Sequence, residues 1–186
     1  MEAKVYSGVS NLVGNAPLEQ AMQVEFDKLG PVIFDNEDAA FADEIRKTLT
    51  PDDIKASFER AGRETPPDLP LCDFVAPLER QSIGGEGSTD VGDVSWVTPT
   101  VQARVATCAV GTPFHTWQTV AQGKAPAAHK GMIHAAKVMA ATATHLINSP
   151  ETLQAAREIH DQRQSTTPYV CPLPSDQKPP VTEQPS

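Results

Sequence analysis

Two short stretches of the chain set glycine beside polar side chains in the way a binding or catalytic loop requires. The first is Gly84-Gly85-Glu86-Gly87-Ser88-Thr89-Asp90-Val91-Gly92-Asp93. Its free backbone N–H groups could cradle an anion, although it lacks the Gly-Lys-Ser/Thr ending of a nucleotide phosphate loop and a plain turn would use the same glycines. The second is Gly111-Thr112-Pro113-Phe114-His115-Thr116-Trp117-Gln118. Here His115 follows a Gly-x-Pro turn, from which an imidazole can project into a cleft and offer one nitrogen to a metal. A loop histidine taken alone is more often a simple hydrogen-bonding residue. Ser88, Asp90 and His115 are the residue types of a hydrolytic triad, but Ser88 does not sit in a Gly-x-Ser-x-Gly elbow. Trp96 and Trp117 could stack on an aromatic substrate, and burial explains them equally well. His129, His134, His145 and His160 form no compact ligand pair and read as solvated or core-satisfied side chains.

Such loops need rigid elements behind them. Weak alternation predicts a short strand over Ala3 to Val13. Asn15 and Pro17 then open a helix that ends at Gly30, with Leu18, Met22, Phe26 and Leu29 on one stripe. Asp35 and Asp38 mark the cap of a second helix carrying Ala39, Phe41, Ala42, Ile45 and Leu49. Thr50-Pro51-Asp52-Asp53 starts a third, over Asp52 to Ala61. Prolines at 66, 67, 70 and 77 break the next stretch into a loop with at most a short strand near Leu71 to Val75.

The β-branched run from Thr100 to Val110 predicts a strand. From Ala127 to Ile147 the spacing of Met132, Ala136, Met139, Ala140, Ala143 and Leu146 predicts a central packed helix. Ser149-Pro150-Glu151 caps a last helix to about Gln164, with Leu153, Ala156 and Ile159 on its apolar side. Beyond it the prolines of residues 165–186 predict a disordered tail.

Composition removes whole classes of partner. Fifteen Lys and Arg against 24 Asp and Glu give a formal charge of −9, which opposes nonspecific attraction to nucleic acid or to an anionic membrane. The most apolar long stretch, residues 131–147, falls short of the roughly 20 residues that span a bilayer and contains His134, Lys137 and His145. The first ten residues show no apolar segment behind a basic one, so a cytoplasmic location is expected. Cys72, Cys108 and Cys171 are widely separated and read as ordinary thiols.

Three motifs in order, GSTDVGDVSW, VQARVATCAVGTPFHTWQ and GKAPAAHKGMIHAAKVMA, resemble the carboxy-terminal catalytic region of amidohydrolases of the p-aminobenzoyl-glutamate hydrolase type. They are also similar to related aminoacylase and carboxypeptidase-type metallopeptidases. NLVGNAPLEQAMQVEFDKLGP and FDNEDAAFADEIRKTL resemble the return of that family's chain from its dimerisation lid into the catalytic domain.

The resemblance implies an α/β fold: the carboxy-terminal half of a mixed-sheet metallopeptidase domain over residues 15–164, with helices packed on the sheet, and the end of the lid over residues 1–14. It implies two zinc or manganese ions in the complete enzyme and hydrolysis of an N-acyl amino acid amide. By the same resemblance His115 matches the last metal-binding histidine, and Ser88, Thr89 and Asp90 match the loop beside the substrate's carboxylate end.

In such an enzyme the metal polarises the amide carbonyl and acidifies its water while a glutamate takes the proton. No such glutamate is evident here, and the other ligands are expected upstream of this sequence. One histidine cannot hold a catalytic zinc. The expected partner is therefore the missing amino-terminal half or a second subunit. The alternative expectation is a non-catalytic module that keeps the fold and works by binding.

Overall fold

The computed structural model describes residues 5–61, 69–78 and 89–177. Gly84, Gly85, Gly87 and Ser88 of the first loop and the last nine residues of the proline-rich tail lie outside them.

Seven helices make up the regular structure among the described residues: α1 (Ala16–Leu29), α2 (Asn36–Arg46), α3 (Pro51–Ala61), α4 (Val91–Val97), α5 (Trp117–Gln122), α6 (Pro126–Ile147) and α7 (Pro150–Thr166). Local chemistry fixes most of their starts. At α2 the Asp35 carboxylate accepts the Asp38 amide at 2.9 Å while Asp38 accepts the Asp35 amide at 3.0 Å, a reciprocal capping box. Thr50 and Asp53 exchange the same pair of bonds at the head of α3. Pro126 and Pro150 stand in the first turns of α6 and α7, where a missing N–H costs nothing.

At α1 the residue expected to cap does something else. Asn15 occupies the cap position, yet its side chain makes no capping bond. It is 2% exposed and donates from Nδ2 to the Ala156 carbonyl of α7 at 2.9 Å. Glu19 supplies the local bond instead, accepting the Asn15 amide at 3.0 Å. Arg163 adds a second tie to the same corner through the Gly14 carbonyl. Helices α1, α6 and α7 thus pack as a three-helix layer. A second apolar cluster joins Ala42 and Ile45 of α2 to Leu71, Ala109 and Ala127.

The α/β expectation is overturned: no strand occurs among the described residues. The segments expected as strands near Leu71 to Val75 and over Thr100 to Val110 carry no ladder. The described residues of the third, Ala3 to Val13, carry none either. A strand exists only where a neighbour takes its N–H and C=O groups, and among the described residues the backbone tie at the meeting of the two interior segments runs from the Val110 amide to the Pro70 carbonyl at 2.8 Å. The segment beyond Thr100 rests instead on α6. A Cβ built on Gly131 would lie 2.1 Å from the Ala106 carbonyl oxygen, so only glycine admits this approach.

The packed face of α6 also differs from the expected one. Ala127, Gly131, Val138 and Thr142 are buried, whereas Met132, Met139 and Ala140 are exposed. Small side chains let α6 approach its neighbours closely. A helix this rich in alanine offers two apolar faces, and periodicity cannot choose between them.

Candidate functional site: the His115 turn and the head of α4

Gly111 reverses the chain after the extended segment with φ 94°, and a Cβ there would meet the Ile54 backbone of α3 at 3.0 Å. Glycine is required on both counts. Four residues on, His115 takes φ 62° and is the positive-φ residue other than glycine in the described chain. A left-handed non-glycine residue costs roughly 1–2 kcal/mol, and such strain persists only where the surroundings impose it. Here the Thr116 and Thr119 hydroxyls both donate to the Pro113 carbonyl, at 2.8 and 2.7 Å, and close the turn around Phe114 and His115. The imidazole is exposed and has no hydrogen-bonding partner among the described residues.

A residue that the sequence did not single out holds this turn to the fold. Gln122, 3% exposed at the end of α5, accepts the Ala109 amide at 2.7 Å and donates to the Thr112 hydroxyl and the Gln118 carbonyl, both at 3.0 Å. Its one amide group spans the chain on both sides of His115. Its sequence signal is weak: a lone glutamine before Gly123-Lys124 looks like any helix end.

Thr89 and Asp90 lie together at the head of α4. The Thr89 carbonyl and hydroxyl accept the Gly92 and Val91 amides at 2.9 and 3.3 Å, while Asp90 occupies the cap position without a side-chain cap bond. Ser88 is not among the described residues. Helix α4 is anchored on the amino-terminal segment and α7. The Trp96 indole donates to the Asn11 carbonyl at 2.9 Å, Ser95 accepts the Val13 amide at 3.0 Å, and His160 and Gln164 converge on the Trp96 carbonyl. Asp93 accepts the Ser10 amide and the Tyr169 hydroxyl, the latter at 2.9 Å. These bonds hold the Asp93 carboxyl below its ordinary range, the Ser10 contact contributing most, and the hydrogen bond to Asp93 in turn pushes the Tyr169 phenol up to about 12. No hydrogen bond or ion pair among the described residues joins Thr89 or Asp90 to His115. Trp117 is exposed at the first residue of α5.

A groove of about 530 Å³ runs beside the His115 turn, reaching Pro113 and Phe114, with walls from Met22, Phe26, Phe58 and His134. The His134 Nε2 is buried there without a partner. Glu25, buried on α1, accepts from His145 at 2.7 Å, and Lys28 first and His145 second lower its pKa. His145 thus serves the helix layer.

No group of three or more His, Cys, Asp or Glu among the described residues is placed to hold a metal ion. The set present therefore does not fit a zinc or manganese site by itself, since such a site needs at least three protein ligands.

No family model matches the sequence. It is 38% identical, over 193 aligned positions, to a p-aminobenzoyl-glutamate hydrolase subunit of Escherichia coli strain K12, an alignment that takes in 96% of this chain. The chain is a relative of that protein. It spans about two fifths of the relative's length, 39%, consistent with a carboxy-terminal part of the p-aminobenzoyl-glutamate hydrolase polypeptide. No solved structure matches. No described helix is long and apolar enough to cross a membrane.

Proposed function

We propose that the chain supplies the carboxy-terminal part of a hydrolase that cleaves the amide bond of p-aminobenzoyl-glutamate or a similar N-acyl amino acid, and that it is inactive alone. The relationship to the p-aminobenzoyl-glutamate hydrolase polypeptide along almost the whole chain carries this reading. The strained turn supports it further. An exposed imidazole kept in a left-handed conformation by Gln122, Thr116 and Thr119 is a group held for a purpose other than packing. In this reading His115 is one ligand of a zinc or manganese site whose other ligands come from the rest of the enzyme. Ser88, Thr89 and Asp90 border the substrate's carboxylate end.

The test is metal content together with p-aminobenzoyl-glutamate hydrolysis, for the purified chain alone and for the chain with the rest of a family member's sequence. Activity and metal only in the combined sample, both lost in His115→Ala, are expected. The second reading, a non-catalytic binding module, is favoured by the lack of a metal-ligating trio among the described residues. A stable combined sample with neither metal nor activity would establish it.

A further inference from the structure

Helix α6 is apolar on two sides. One side faces α1, α7 and Ala106. The other carries Met132, Ala136, Met139, Ala143 and Ile147, which recur every three or four residues over four turns. Met132 is 58% exposed, Met139 66% and Ile147 76%. The acids that help keep a solvated helix face in water are missing here: no Asp or Glu occurs between Pro126 and Ile147, in a chain with 24 of them. A helix with two apolar faces belongs between two layers, and only one of those layers lies among the described residues. A continuous uncovered apolar stripe of this length marks an interface.

We propose that the outward stripe of α6 is the docking surface for the rest of the enzyme, the polypeptide equivalent to the part of the Escherichia coli relative that this chain does not span. This inference rests on the proposed function for the identity of the partner. Roughly three fifths of the relative has no counterpart here, so a polypeptide larger than this chain is available to cover the stripe. A second copy fits less well, because two chains of charge −9 repel each other and the α6 face of neither offers an acid to the exposed Lys137 beside the stripe.

The full chain is co-expressed with the unmatched segment of the Escherichia coli relative, and association is read by co-purification. Oxidation of Met132 and Met139 is then compared by hydroxyl-radical footprinting in the chain alone and in the complex, since methionine oxidation follows exposure. Both methionines are expected to be oxidised readily in the chain alone and protected in the complex. Met139→Asp and Ala143→Asp should each weaken association by at least about tenfold. Both substitutions lie on the outward side of α6, so an unchanged far-UV spectrum shows that the chain itself still folds.

Three results would overturn the proposal: association that leaves both methionines reactive, protection that grows with the concentration of the chain alone, or failure of the segment to associate. The footprint needs no catalysis, so a complex formed through α6 that hydrolyses nothing would sink the proposed function and leave this interface standing. An active complex with Met139 exposed would do the reverse.

Discussion

The Gln122 side-chain carbonyl accepts the Ala109 amide at 2.7 Å, thirteen residues back along the chain, and this bond holds the His115 turn between its two ends. Removing it leaves a buried N–H with no acceptor, which costs about 1–3 kcal/mol. Gln122→Leu, close in size but without polar atoms, should lower the urea midpoint accordingly. Gln122→Glu keeps the acceptor but cannot donate to the Gln118 carbonyl while ionised, so it should lose less than leucine at acid pH, where its carboxyl is protonated. If the two variants unfold at the same denaturant concentration there, the Ala109 bond is not what matters.

The backbone of His115 separates strain from chemistry. His115→Gly removes the imidazole and relieves the left-handed conformation, so it should stabilise the chain by up to about 1 kcal/mol. His115→Ala removes the imidazole and keeps the strain. Both should abolish metal-dependent hydrolysis in the combined sample, while only the glycine variant unfolds later. Equal unfolding midpoints would show that the turn is unstrained in solution.

Gly131 sets two effects against each other. Alanine is the better helix former by about 1 kcal/mol, which would make Gly131→Ala stabilising on an open helix face. Here the added carbon would overlap the Ala106 carbonyl oxygen, and overpacking of a close contact costs about 1–3 kcal/mol. The clash is with backbone and should win, so the variant should melt below the parent. A higher melting temperature would mean that α6 stands further from the extended segment than the structure has it.

Acid should weaken the cap of α2 in a defined window. Lys130 beside Asp35, and after it the Asp38 amide, hold the Asp35 carboxyl down at about 2, against 3.8 for an ordinary aspartate. A carboxylate depressed in the folded state favours folding above its unfolded value, and that contribution disappears as pH falls from about 4 toward 2. The same contacts with Asp35 and Asp38 raise Lys130, so at the alkaline end the pairing is lost only as pH rises through that raised value. Asp35→Asn should flatten the acid limb of a stability profile between about pH 4 and pH 2 and leave its shape above about pH 5 unchanged. Identical acid limbs for parent and variant would count against the Lys130 pairing.

Much of this architecture can be read from local chemistry. Asp35 with Asp38, Thr50 with Asp53, and the prolines at 51 and 150 announce helices where helices stand, because a cap is made within four residues of itself. Helices α4 and α5, at seven and six residues, are too short to show a period and read as loop. The Thr100 to Val110 run reads as a strand from its side chains, but pairing is decided by what lies alongside, which no local pattern contains. The site divides in the same way. His115 stands out by its turn, whereas the role of Gln122 exists only once Ala109 and Thr112 have been folded against it.

The bond from Asn15 to Ala156 joins residues 141 positions apart, and Arg163 reaches back to Gly14 across 149. On a translating ribosome the first helix therefore leaves the exit tunnel long before its last neighbour is synthesised. Until then the Asn15 side-chain amide lacks its acceptor, and α1 has only α6 to pack against. Closures over such long loops are also the slow ones. The α1–α7 seam is thus among the last parts of this layer to close, and until it does the surface it buries stays open to wrong partners.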